Sequence, residues 1–115
     1  MKQFDHLPRE EKILAEFVFK NPNSYQSDIA KHFELFNIKG GNRKVRLITN
    51  SIRILNPFVE INDEILYLVA DNDGYCWTSN QDRLASWYLR IKKLQLSITE
   101  VIDIYEQQQT FINFN

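Results

Sequence analysis

A single cysteine, Cys76, leaves no partner within these 115 residues for an internal disulfide. A reducing, cytoplasmic compartment suits such a chain best. Cys76 lies in the apolar stretch "YCWT", with no base or cationic niche in view, so an inert buried thiol is expected rather than a nucleophile. Three glycines and three prolines exclude a low-complexity or collagen-like chain. No apolar run approaches the roughly 18 residues that a membrane span needs. The opening "MKQFDHLPREEK" has no apolar h-region, so no signal peptide is expected. His6 and His32 stand far apart with no further ligand at metal-binding spacing, so no zinc site is expected. "DNDG" holds Asp71 and Asp73 but lacks the other ligands and the distal Glu of a calcium loop. There is no glycine loop to cradle phosphate and no pair of catalytic carboxylates. Neither an enzyme nor a cofactor is expected.

What is present is a core and an uneven charge. Hydrophobic residues make up 43% of the chain and aromatics 13%, enough to build one domain, or one domain with an appendage. The net charge is only -1. Residues 29–59, however, hold six bases (Lys31, Lys39, Arg43, Lys44, Arg46, Arg53) against Glu34 alone. Residues 60–115 hold four bases and nine acids. A cationic middle can meet a polyanion while an acidic end is kept away from it.

The pattern predicts three helices, a hairpin and a further long helix. "PREEKILAEFVFK" reads as the first helix. Pro8 suits its first position, acids occupy the first turn, and Ile13, Leu14, Phe17 and Val18 form one face. "NSYQSDIAKHFELF" reads as the second, with Ser24 as N-cap and Tyr25, Ile29, Phe33 and Phe36 at helical spacing. The glycines of "NIKGGN" break it. "NRKVRLITNSIRIL" reads as the third, capped by Asn42. Val45, Ile48, Ile52 and Leu55 lie on its inner side with Thr49 at the edge, and Arg43, Arg46, Leu47, Asn50 and Arg53 on the outer side. "FVEI" and "ILYLVA", rich in β-branched and aromatic residues and separated by "NDE", read as a hairpin. "DNDG" is a turn and "YCWT" a third short strand. From Ser79, a cap with Asp82 three residues on, helix runs without Gly or Pro for more than 25 residues. Leu84, Ile91, Ile98 and Tyr105 recur every seven residues, with Trp87, Leu94 and Val101 at the offset positions. That is a heptad seam, and it predicts a homodimer through this helix.

Three short helices followed by a hairpin suit a winged helix–turn–helix. Two helices would hold the third, whose outer face must be polar and cationic to enter the major groove of DNA. Arginine reads guanine edges and pairs with phosphate, asparagine pairs with adenine, and leucine can rest on a thymine methyl. Arg43, Arg46, Leu47 and Asn50 would then face bases, while Lys31, Lys39, Lys44 and Arg53 hold the backbone.

"NPNSYQSDIAKHF", followed by "GNRKVRLITNSIR", resembles the small winged-helix proteins encoded by phages and prophages. "DNDGYCWTS" and the heptad helix stand where those proteins carry a "GYxW" strand and a long charged C-terminal helix. The resemblance spans roughly residues 9–109. It implies an α+β fold, mainly helical with a small β-hairpin wing, and double-stranded DNA as partner, in control of phage genes or binding of a replication origin in a bacterial host cell. The chain departs from that pattern in three ways. "ELFNIKGGN" lengthens the turn before the third helix. Leu47 stands in place of a cation. Glu60, Asp63, Glu64, Asp71 and Asp73 make the wing region acidic, so it is not expected to grip phosphate. The expected organisation is a winged domain over residues 1–78, a dimerisation helix over 79–109 and a tail over 110–115. The second hypothesis, which the acidic wing favours, is a protein-interaction module that binds and inhibits or recruits a host or phage protein.

Overall fold

The acids that open the first helix also position the third. In the computed structural model, which describes residues 2–93, α1 (Arg9–Lys20), α2 (Gln26–Glu34) and α3 (Gly41–Leu55) follow a short 3-10 turn, Lys2–Phe4. Glu10 and Glu11 sit in the first turn of α1, where the helix dipole favours carboxylates. From there Glu10 pairs with Lys44 at 3.0 Å, and Glu11 accepts a hydrogen bond from the Ser51 hydroxyl at 2.9 Å. Both partners lie on α3.

After α3 come β1 (Phe58–Ile61), β2 (Glu64–Asp71) and β3 (Gly74–Thr78), an antiparallel sheet in the order β1-β2-β3. A further helix, α4, covers residues 81–93 of those described. The result is an α+β fold whose element order is compatible with a winged helix. The β1–β2 turn takes two residues, Asn62 and Asp63, both at positive φ (52° and 65°). That twist suits a tight hairpin, and Asn and Asp tolerate it better than most residues.

One face of the sheet closes the core. Val59, Leu68, Tyr75 and Trp77 pack with Phe4, Leu14, Val18, Ile29, Phe33, Val45, Ile48 and Ile52 in a single buried cluster. Phe4 is wedged beside Trp77 and Phe19, with ring centroids 5.4 and 6.0 Å away. The Trp77 indole N–H donates to the Ala15 carbonyl of α1 at 3.1 Å, so the largest core side chain satisfies its one polar atom. The start of β3 is pinned to the α1–α2 connection. Tyr75 N–H donates to Ser24 O at 2.7 Å, and Asn23 N–H donates to Tyr75 O at 2.8 Å.

That bridge corrects the expected caps. Ser24 is not the N-cap of α2. Its backbone serves the bridge and its hydroxyl donates to Asn21 O at 2.6 Å. Tyr25 takes the cap position, and Asp28 reaches back to accept from its N–H at 3.0 Å. Tyr25 is exposed there. Nor do the glycines end α2. Asn37 at φ 62° does so, with Ile38 N–H donating to Phe33 O at 3.0 Å and Asn37 N–H to Glu34 O at 3.2 Å, a Schellman closure in which Ile38 is buried. Gly40, at φ 120°, caps α3 in place of Asn42. Pro8 precedes α1 as its cap rather than opening it. Asn80, not Ser79, caps α4, its side-chain oxygen accepting from Arg83 N–H at 2.9 Å.

The chain divides into two compact units, Met1–Leu84 and Ala85–Asn115. Arg83 lies in the first of these. The Arg83 guanidinium grips both oxygens of Asp71 (2.8 and 2.9 Å), the Asn23 side-chain oxygen (2.8 Å) and the Gly74 carbonyl (3.1 Å). Asp71 in turn pushes the Arg83 pKa further above its ordinary value. This planar fork joins the β2–β3 turn, the α1–α2 connection and the first turn of α4. Arg83→Ala should lower the unfolding free energy by about 2 kcal/mol in urea titrations, the scale of a charge-assisted, partly buried network. Arg83→Lys should recover little, since an ammonium cannot reproduce the fork. A neutral result for both variants would mean that the clamp contributes nothing to stability.

Candidate nucleic-acid interface

Helix α3 has 15 residues and no acid among them. Four small or branched side chains, Val45, Ile48, Thr49 and Ile52, are buried on its inner stripe. Thr49 belongs in the core rather than at its edge, because its hydroxyl donates to Val45 O at 2.7 Å and leaves no polar group unmet. Leu55 was expected inside but is exposed. At about 100° per residue it stands at the margin of the stripe.

The outer face keeps most of what the periodicity assigned to it. Arg43, Arg46, Leu47 and Asn50 are all exposed, and the helix holds them on one side of a rigid element. Lys31 on α2 and Lys39 in the α2–α3 turn are exposed as well. Two expected backbone contacts are placed differently. Lys44 is half-buried and held by Glu10, so it reaches a phosphate only by leaving that pair. Arg53 is half-buried, with its Nε donating to the Leu68 carbonyl of β2 at 3.4 Å and one terminal nitrogen donating to Asn50 Oδ1 at 3.5 Å. It stands about 90° from the middle of the outer face, and its guanidinium ties α3 to the sheet and steadies Asn50.

Ile54 was not anticipated. It lies at the centre of the outer face, one heptad after Leu47, and is 82% exposed, with Leu47 at 55%. The same angular count that found the arginines would have found it. Beyond it, Leu55, Phe58 and Tyr67 are also exposed, the last two as a cross-strand pair with rings 6.1 Å apart. On α3 itself, Leu47 and Ile54 thus add apolar surface to the face that carries Arg43, Arg46 and Asn50.

The β1–β2 hairpin carries acid at its tip. Glu60, Asp63 and Glu64 are exposed around the β1–β2 turn. Asp71 and Asp73 belong to the opposite end of the sheet, and Asp71 is neutralised by Arg83. Of the seam positions, Leu84 and Trp87 are half-buried and Ile91 is exposed. Leu94, Ile98, Val101 and Tyr105 lie outside the described residues. Among the described residues no group of three His, Cys, Asp or Glu could hold a metal ion, and no helix is long and apolar enough to cross a membrane. Cys76 is buried, as expected, with its thiol on the Trp77 carbonyl at 3.3 Å.

Away from α3, between α1 and α2, the surface folds into a groove of about 600 Å³. Phe36, just past the end of α2, lines it. His32 stacks on Phe17 with ring centroids 4.3 Å apart and meets Phe36 edge-on at 5.2 Å. Burial pushes the His32 pKa below its ordinary 6.5. A base with a depressed folded pKa binds fewer protons in the native state than when unfolded, so stability rises with pH across that interval. The contribution is complete above 6.5 and is lost as pH falls from there through the lower folded value. Thermal melts between neutral pH and mild acid should show this slope, and His32→Gln should flatten it. An unchanged slope in that variant would place the titration elsewhere.

Compared with protein-family models, curated proteins and solved structures, the chain matches none.

Proposed function

We propose that this chain is a winged helix–turn–helix protein that binds double-stranded DNA sequence-specifically, with α3 in the major groove. The observation that carries the proposal is the acid-free outer face of α3, where Arg43, Arg46, Leu47 and Asn50 are exposed together. Two guanidiniums, an amide and an aliphatic side chain on one helix are the set that reads base edges. Lys31 and Lys39 flank it for phosphate, with Lys44 available once released from Glu10. Dimerisation through the heptad helix would set two copies of α3 against two half-sites. A phage-type regulator or a replication-associated DNA binder, working in a bacterial cytoplasm, is the role we assign.

A second reading is favoured by exposed apolar side chains on α3 and on the strands that follow it. Leu47, Ile54, Leu55, Phe58 and Tyr67 are exposed in sequence-contiguous elements beside an acidic wing tip, a composition that suits a protein partner better than a phosphate backbone. Fluorescence anisotropy with mixed-sequence duplex DNA, repeated at several salt concentrations, separates the two. DNA binding by a dimer that meets about four to eight phosphates gives a log–log salt slope of roughly -4 to -7. Absence of binding at low salt would overturn the DNA proposal and leave the protein-interaction module.

A further inference from the structure

None of the residues lining the α1–α2 groove belongs to α3, so this concavity is separate from the candidate DNA-facing surface. Its floor and wall are apolar and aromatic. Ile13 and Phe17 come from α1, His32 and Phe36 from α2 and the turn that follows it. Phe17 and His32 already form a stacked pair, tilted by only 24°, and Phe36 stands edge-on to it. A further flat ring could extend this arrangement through the face and edge contacts that aromatic groups prefer.

The rim is cationic. Arg9 and Lys20, the first and last residues of α1, line the groove, as do Lys12 and Glu16. Lys12 is already balanced, at 2.9 Å from Asp5 and 4.0 Å from Glu16. Arg9 uses one terminal nitrogen on the Phe36 carbonyl at 3.0 Å, and its remaining donors stay available. Lys20 makes no ion pair among the described residues. The unbalanced charge at the groove is therefore positive and belongs to Arg9 and Lys20.

Size selects between classes of occupant. A volume of about 600 Å³ lies inside the ~300–1,000 Å³ that small-molecule pockets occupy. A partner helix would need apolar anchors over two or more turns, whereas the α1 floor offers Ile13 and Phe17, one turn apart. We infer that the α1–α2 groove binds a small aromatic carboxylate, its ring against Phe17, His32 and Phe36 and its carboxylate held by Arg9 or Lys20. This assignment does not depend on what α3 binds.

The test is a titration of the isotopically labelled full chain with 2-naphthoate, followed by heteronuclear NMR. 2-Naphthylmethylamine serves as the cation of similar shape. Saturable shifts centred on Ile13, Phe17, His32 and Phe36 are expected with the acid and not with the amine. The exposed double variant Arg9→Gln/Lys20→Gln, with an unchanged apo spectrum elsewhere, should bind the acid about tenfold more weakly, as loss of charge-assisted hydrogen bonds requires. Three outcomes would overturn the inference: no saturable shift with the acid, equal binding of acid and amine, or unchanged affinity in the double variant.

Discussion

Arg43→Ala/Arg46→Ala should abolish measurable binding to duplex DNA while leaving the fold intact. Both side chains are exposed, and among the described residues neither holds a partner that truncation would strand. Surface changes of this kind usually move stability by no more than about 0.5 kcal/mol. Their effect on binding is larger. Each arginine that reads a base or clamps a phosphate contributes about 1–3 kcal/mol, so two per protomer lower affinity by roughly a hundredfold or more even when their contributions overlap. The salt slope should become shallower by about one for each phosphate that is no longer neutralised. The check is anisotropy alongside circular dichroism melts of the same preparation. Wild-type affinity in a normally folded double variant would remove α3 as the reader. A companion pair, Leu47→Ala and Ile54→Ala, reports on the apolar side chains of the same face. If these reduce capture of a protein partner and leave DNA binding unchanged, the protein-interaction reading gains the site.

Gly74→Ala should be the most damaging single-methyl change in the sheet. Gly74 sits at φ 102°, and a Cβ there would lie 2.7 Å from both the carbonyl carbon and oxygen of Asn23 and 2.8 Å from Ser24 O. All three obstacles are backbone, and Asn23 and Ser24 are themselves held by hydrogen bonds to Tyr75. Neither partner can swing away as a flexible side chain would. A strained dihedral costs about 1–3 kcal/mol and forced overpacking about as much again, so a loss of roughly 2–5 kcal/mol is expected. Against a typical domain stability of ~5–15 kcal/mol, this is a large fraction. Urea denaturation measures it directly. A shift below about 0.5 kcal/mol would mean that the α1–α2 connection does not close on the β2–β3 turn.

The two variants probe what was and was not legible in the sequence. Local periodicity located α1, α2 and α3 and named β1 residue for residue, because "NP" before it and "ND" after it leave no other place for a β-branched, aromatic run. It also put Arg43, Arg46, Leu47 and Asn50 on the outside of α3. Most of the misses share one cause, a partner distant in the chain. Ser24 looks like a cap until Tyr75, 51 positions later, claims its backbone. Arg53 looks outward until β2 offers the Leu68 carbonyl. Asp71 looks like part of an acidic wing until Arg83 neutralises it. Ile54 is different, since only attention to charge hid an aliphatic residue that the helical angle places in full view. The seam beyond residue 93 lies outside the described residues.

The bond between Trp77 and Ala15 spans 62 positions, and that distance governs the order in which the chain can assemble during its own synthesis. Ribosomes extend a chain at about 5–20 residues per second, so α1 emerges seconds before the strand that covers it. Until β3 arrives, Phe4, Leu14 and Val18 have no Trp77 to pack against, and the α1–α2 connection has no strand to hold it. The nascent helices are thus an uncovered apolar surface, a substrate for holding chaperones. Residues 74–78, together with the Arg83 clamp that follows them, are the last pieces of the first unit to leave the exit tunnel. A message truncated just upstream of that strand would yield a chain with every helix of the candidate DNA reader and no means of closing them.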